Sequence, residues 1–228
     1  MARRSVARGK EAPTTTPPRR RAGRPVDSDS AETRQVLLEA AVRRFGRDGV
    51  ARTTLRDVAN EAGLTTGTLY HHYATKSALY TAAYTWAVEE TYREYNQAIE
   101  GVTGAREQIA AVLNRSLLLA RERTDLMDLV IRAWVEHDDD TEPLPIPPAV
   151  LDFLQGLVDR GARNGEIRPA HRAELMNMVR AMLWGIGILS LIDSDRIETT
   201  IDGLKRVIDG TLFAPPVGGR RRAACASR

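Results

Sequence analysis

Residues 54–73 read TLRDVANEAGLTTGTLYHHY and carry the signals of two short helices joined by a tight turn. Thr54 and Asp57 have the spacing of a capping box, and the apolar residues that follow recur at intervals of three and four. Gly63 ends the first helix, because glycine enters a left-handed turn at little steric cost. Thr65 can cap the second helix. The stretch therefore predicts a helix-turn-helix.

The outer side of the second of these helices presents short polar side chains. Val58, Leu64 and Leu69 fall at inward positions, which leaves the hydroxyl and aromatic residues of 65–71 outside. Small hydroxyls at a helix N-terminus can approach phosphates and base edges without steric obstruction. A lysine at the start of the following helix adds a positive charge. The residues predicted to contact DNA here are Thr54, Thr65, Thr66, Thr68, Tyr70, His71 and Lys76.

Several of these side chains also have a simpler interpretation. Thr65 and Thr66 can act as helix caps alone, and Thr54 is expected to be both a cap and a phosphate contact. Tyr70 can be partly buried, and Lys76 can be a solvated lysine of a first turn. The sequence leaves these alternatives open.

The rest of the chain shows helical periodicity and almost no strand signal. Before the helix-turn-helix, apolar residues recur at helical spacing over 38–45, after a possible cap at Asp29. After it, Thr75 can cap a long helix over about 76–99. The predicted fold is all-α, with an N-terminal three-helix unit followed by a larger helical body. The further helices are predicted at about 104–122, 125–137, 147–163, 171–192 and 197–213.

Residues 31–91 resemble the TetR family of bacterial transcriptional regulators. In that family the first three helices bind DNA, and the remaining helices form a ligand pocket and a dimer interface. The resemblance implies a homodimer on a palindromic operator of double-stranded DNA, with Tyr70 as a phosphate contact. Tyr73 stands where the family more often has Phe. The resemblance rests on the first-helix run ending at 45–49, TTLRDVA at 53–59, AGL at 62–64, GTLYHHY at 67–73 and KSAL at 76–79.

The charge is unevenly distributed, although its sum over the chain is only +3. A basic arm and a basic tail flank an acidic body, which favours the arm rather than the body as a polyanion contact. The predicted domains are a disordered arm at 1–29, the helix-turn-helix domain at 30–76, a ligand-sensing and dimerisation domain at 77–213 and a disordered tail at 214–228. The net charge is +7 over 1–26, zero over 27–80, −8 over 81–213 and +4 over 214–228.

The arm contains RRRAGRP at residues 19–25. Arginines around a Gly-Arg-Pro core resemble the AT-hook type of minor-groove reader, in which extended arginines enter the narrow groove of A·T-rich DNA. Arg21 and Arg24 are therefore added to the predicted DNA contacts. Non-specific attraction to phosphate is the alternative.

The body offers candidate residues for an apolar ligand pocket. Aromatic side chains lie on four of its predicted helices, and methionines cluster on the eighth. Pockets are mostly apolar, so a small apolar or amphipathic ligand is expected, although single aromatics are more often plain core. Gly185 and Gly187 inside the eighth helix suggest close helix contact at a dimer interface, together with the apolar side of the ninth helix. The predicted ligand-binding residues are Trp86, Trp134, Phe153, Met176 and Trp184.

Other classes of protein are disfavoured. The single cysteine, Cys225, cannot form an internal disulfide. The apolar run without a charge at 181–192 is 12 residues long, whereas a membrane-spanning helix needs about 20. No motif of a phosphate-binding loop, zinc protease or serine hydrolase is present.

No metal and no cofactor is predicted. Adjacent His71 and His72 point about 100° apart on a helix and do not easily hold one ion. His137 beside three aspartates is interpreted as part of a solvated loop.

The sequence thus predicts a cytoplasmic, homodimeric repressor that a small molecule releases from its operator. An architectural DNA-binding protein without ligand sensing, or a small all-α enzyme, is the alternative.

Overall fold

The computed structural model describes residues 26–135 and 144–212, and within them every regular element is a helix. The all-α prediction is confirmed. Two single 3₁₀ turns, Pro169–His171 and Ser194–Arg196, precede the last two helices. The helices are α1 Val26–Asp48, α2 Leu55–Glu61, α3 Thr66–His72, α4 Lys76–Ala98, α5 Ala105–Glu122, α6 Thr124–Val135, α7 Pro148–Arg163, α8 Arg172–Ile192 and α9 Ile197–Ile208.

The predicted caps of the short helices are confirmed. Thr54, Thr65 and Thr75 precede α2, α3 and α4, and each side chain accepts a hydrogen bond from a backbone N–H of the first turn. Gly63 in the turn between α2 and α3 has φ +67°, a conformation that costs glycine little. Local sequence chemistry therefore sets the boundaries of the helix-turn-helix.

Two boundaries differ from the prediction. Helix α1 begins at Val26, before the predicted cap at Asp29. Helix α9 ends at Ile208, because Gly210 takes φ +69° and closes the helix. Leu212, expected in α9, therefore lies beyond it.

The first core joins the three N-terminal helices to the body. Buried apolar residues of α1, α2 and α3 pack with Leu79 and Ala83 of α4, and with Leu126 and Leu129 of α6. At Gly46 a Cβ would lie 2.9 Å from the backbone oxygen of Asp125, so α1 and α6 touch through their backbones. Any side chain at this position would push the two helices apart.

The second core lies in the body, where α5, α7, α8 and α9 pack around the C-terminal half of α4. One side of α8 remains uncovered. The segment Pro169–Ile192 comprises α8 and the 3₁₀ turn before it. By length and composition this segment is long and apolar enough to span a membrane, with a mean hydropathy of 1.7. Its exposed residues include Met178, Ile188 and Ile192, the last 73% exposed.

Candidate nucleic-acid interface and apolar cavity

Helix α3 presents a polar face anchored by one buried residue. Leu69 is fully buried in the first core, whereas Thr65 and Thr66 are exposed. The Thr65 hydroxyl accepts a hydrogen bond from the Thr68 N–H at 3.1 Å and lies 2.9 Å from the Thr68 hydroxyl. Tyr70 is 55% exposed. His71 is exposed as well, and Thr68 is half-buried.

Thr54 and Asp57 form a complete capping box at the start of α2. The Thr54 N–H and hydroxyl both donate to the Asp57 carboxylate, at 2.9 and 2.6 Å, and the Asp57 N–H donates to the Thr54 hydroxyl at 3.2 Å. The hydrogen bonds from Thr54 lower the pKa of Asp57 below its ordinary value. Thr54 thus caps α2 as predicted, and its exposed position leaves it accessible to a phosphate.

Lys76 is not the solvated lysine that its position in the first turn of α4 suggested. Its Nζ donates to the carbonyl oxygens of Val50 and Thr53, at 2.8 and 3.1 Å. Two of its three donor hydrogens therefore tie the start of α4 to the loop between α1 and α2. The structure gives Lys76 a positioning role in addition to the DNA contact predicted for it.

The arginines of the N-terminal helices divide into two groups. Arg43, Arg44 and Arg47 on α1 form ion pairs with Glu61 at the end of α2, at 3.1, 2.8 and 3.4 Å. Arg56, in the first turn of α2, is exposed and forms no ion pair with the residues that the structure describes. Arg56 was not among the predicted DNA contacts. Its position next to the start of a helix could have indicated a phosphate contact from the sequence.

The remaining predicted contacts lie elsewhere. Arg21 and Arg24 fall outside the described residues, as does His137 with its aspartates. The rings of His71 and His72 are 5.4 Å apart and nearly perpendicular. Burial lowers the pKa of His72, and the neighbouring His71 and Arg34 lower it further. Among residues 26–135 and 144–212 no group of three metal-ligating side chains comes together.

An apolar cavity of about 130 Å³ lies in the body between α4, α6, the start of α7 and α8. Aromatic and aliphatic side chains form its wall. Trp134 and Trp184 meet edge to face at 4.8 Å, and the Trp134 indole N–H donates to the Tyr84 hydroxyl at 2.9 Å. α4 contributes Tyr84, Tyr92 and Tyr95, α6 contributes Ile131 and Trp134, and α8 contributes Arg180, Leu183 and Trp184.

Two of the five residues predicted for the pocket line this cavity, namely Trp134 and Trp184. The other three lie outside its described lining. Trp86 packs against the first core. Phe153 is buried in the second core, behind Tyr92 and Tyr95, whose rings it meets at 5.4 and 5.9 Å. Met176 packs against the same core, near the start of α8.

A helix-turn-helix with exposed threonines on its second helix, carried on a helical body, defines a DNA-binding transcriptional regulator. The sequence profile of the bacterial regulatory proteins, tetR family, matches residues 37–83. The HTH-type transcriptional regulator TtgR of Pseudomonas putida is 31% identical over 163 residues, 65% of this chain and 76% of TtgR. The chain belongs to the TetR family of transcriptional regulators.

Two further comparisons agree. The probable HTH-type transcriptional regulator ArpR of Pseudomonas putida is 32% identical over 154 residues, 61% of this chain and 72% of ArpR. The crystal structure of a TetR transcriptional regulator from Chloroflexus aurantiacus matches with a TM-score of 0.67 at 23% identity, over 80% of this chain and 96% of that chain. The second comparison shows that the fold is shared over most of the chain.

Proposed function

We propose that this protein is a homodimeric, cytoplasmic repressor that leaves a palindromic operator when a small apolar or amphipathic molecule enters the cavity. The observation that carries the proposal is the course of α4. This helix begins at Lys76, shortly after α3, which we call the reader helix because it would enter the DNA groove. The middle and end of α4 supply Tyr84, Tyr92 and Tyr95 to the cavity wall. One helix therefore connects the proposed DNA-binding surface with the cavity.

The dimer is supported by the uncovered side of α8. Met178, Ile188 and Ile192 are spaced so that they share one face of the helix, and an added Cβ at Gly185 would meet nothing within 4 Å. An exposed apolar face of this kind needs a partner, and a second copy of the same helix would provide one. Val207 of α9 is exposed as well and would extend the interface.

The coupling would run through α6 as well as α4. α6 lines the cavity with Ile131 and Trp134, and its N-terminal end touches α1 at Gly46. A molecule that displaces α6 would move α1 and the reader helix with it. It can release DNA only by binding the non-DNA conformation more tightly, and the DNA must weaken its binding by the same factor.

On DNA, α3 of each subunit would enter the major groove, with Thr65, Thr66, Thr68, Tyr70 and His71 facing bases and phosphates. The two reader helices must then sit about 34–36 Å apart, one turn of B-DNA. Thr54, Lys76 and the arm residues Arg21 and Arg24 would contact the backbone or the minor groove. Such phosphate contacts position the reader helix, while base contacts set the sequence preference.

The test begins with selection of a binding site from a random DNA library, followed by fluorescence anisotropy titration of that site with the full-length protein. A two-fold symmetric site and one dimer per site are expected. The same titration is then repeated with a library of small apolar and amphipathic compounds. At least one compound should weaken operator binding several-fold. If no compound changes operator affinity although the cavity binds some of them, the protein is an architectural DNA-binding protein without ligand control.

A further inference from the structure

Among the described residues that line the cavity, one side chain carries a charge. Arg180 lines it from α8, and the other lining side chains that the structure describes are aromatic, aliphatic or hydroxylic, with no carboxylate among them. Arg180 forms no ion pair or side-chain hydrogen bond with any described residue. A guanidinium that no described carboxylate neutralises, at the edge of an apolar space, favours a ligand that brings a negative charge with it.

The cavity is arranged with an apolar end and a polar end. Its inner wall includes Tyr84, Tyr95 and Leu183, all buried. Its rim includes exposed parts of Ile146 and Leu151 as well as Arg180. A molecule that enters would place an apolar group among the inner rings and leave its polar group at the rim, beside the guanidinium.

Tyr92 adds a hydrogen-bond donor to the wall of the same cavity. Its hydroxyl makes no hydrogen bond with the described residues, in contrast to the hydroxyls of Tyr84 and Tyr95, which pair with Trp134 and Ser116. Burial raises the pKa of Tyr92 well above its ordinary value, and Arg180 is near enough to oppose that rise. Tyr92 thus remains a neutral phenol that can donate to an anion held by Arg180.

We infer that the cavity takes a small aromatic carboxylic acid, with its ring among Tyr84, Trp134 and Trp184 and its carboxylate on Arg180 and Tyr92. Size supports a single ring, because an apolar cavity of about 150 Å³ admits benzene and this one measures about 130 Å³. Guanidinium and carboxylate match in a planar, two-pronged geometry. The inference rests on the proposed ligand-binding function and names the class of ligand for it.

The experiment compares three probes of nearly equal size and different charge: benzoate, benzamide and benzylamine. Each is titrated into full-length protein without DNA, by calorimetry and by quenching of tryptophan fluorescence. Benzoate should bind about tenfold more tightly than benzamide, the effect of one charge-assisted contact at a partly solvated rim. Benzylamine should bind most weakly, because it places a cation beside Arg180.

The variant Arg180→Gln identifies the source of the preference. It should bind benzoate and benzamide equally, with benzamide affinity as in the wild type, which shows that the cavity is intact. The matched control is Arg163→Gln, an exposed arginine at the far end of α7 that does not line the cavity. This control loses the same charge and should keep the tenfold preference. Tyr92→Phe should reduce benzoate affinity more than benzamide affinity, because a hydrogen bond to a charged carboxylate is stronger than one to an amide carbonyl.

The inference is overturned by equal binding of benzoate and benzamide by the wild type, by no binding of benzoate at millimolar concentration, or by an undiminished preference in Arg180→Gln. Tighter binding of benzylamine than of benzoate would also overturn it. Failure of the proposed function looks different. In that case benzoate binds with the expected preference and no cavity ligand changes operator affinity.

Discussion

The contact between α1 and α6 at Gly46 makes a quantitative prediction about stability. In Gly46→Ala the new Cβ would lie 2.9 Å from the Asp125 backbone oxygen and 3.3 Å from the Leu129 backbone nitrogen. Backbone atoms cannot rotate away as a side chain can, so α1 and α6 must separate. Overpacking of this kind costs about 1–3 kcal/mol, while alanine in a helix gains about 1 kcal/mol over glycine.

Gly156→Ala is the matched control, because Gly156 also lies inside a helix, α7. Its new Cβ would meet the tip of the flexible Arg160 side chain at 3.1 Å, which can move aside. This variant should therefore keep the alanine gain of up to about 1 kcal/mol. Gly46→Ala should be less stable than Gly156→Ala by the overpacking cost of about 1–3 kcal/mol.

The assay is chemical unfolding in urea, followed by circular dichroism, together with thermal unfolding. For a chain of this size, 1 kcal/mol corresponds to roughly 2–4 °C in Tm. Operator affinity should also fall in Gly46→Ala, because separation of the two helices tilts the reader helix. Equal stability of the two variants would refute the reasoning that backbone contact at Gly46 holds the N-terminal helices on the body.

Three further predictions concern single side chains. Lys76→Met should lower stability in the absence of DNA by about 1–3 kcal/mol, because the carbonyls of Val50 and Thr53 lose their hydrogen-bond donor. Unchanged thermal unfolding, combined with a shallower salt dependence of DNA binding, would make Lys76 a phosphate contact alone. Arg56→Ala should weaken binding to all DNA sequences and reduce the slope of log affinity against log salt by about 0.9, the value for one phosphate contact; an unchanged slope would remove it from the interface. Asp128→Asn should raise Tm at pH 7, because burial raises the pKa of this carboxyl and its charged form destabilises the fold. The protonated Asp128 carboxyl contributes stability at pH values below its ordinary pKa of 3.8, and this contribution is lost as the pH rises through the raised pKa. The stability advantage of Asn should therefore vanish near pH 3. An advantage that does not depend on pH would contradict this cause.

Elements set by local chemistry were predictable from the sequence. Thr54, Gly63 and Thr65 mark the limits of α2 and α3 through contacts within four residues, and the structure confirms each of them. The outward face of α3 followed from the same spacing, since Leu69 alone had to point inward. Whether these exposed residues contact DNA is a prediction that the proposed experiments test.

Features that depend on packing between distant helices were not predictable. Trp86 and Trp134 look alike in the sequence, yet one packs on the first core and the other lines the cavity, because the rotation of α4 and α6 about their axes decides it. Lys76 reaches carbonyls 23 and 26 positions earlier in the chain. Arg180 gave no signal at all, since a charged residue on an apolar helix has no local pattern that places it at a cavity.

The shared core of α1, α3, α4 and α6 has a consequence for engineering. A cut after residue 76 would expose Leu37, Phe45 and Leu69, which now pack in a cluster completed by Leu126 and Leu129. A transplanted DNA-binding unit would therefore need α6 as well as α1–α4 to keep its fold. Chimaeric regulators built from this protein should exchange DNA specificity through surface residues of α3, with the junction to the body left intact.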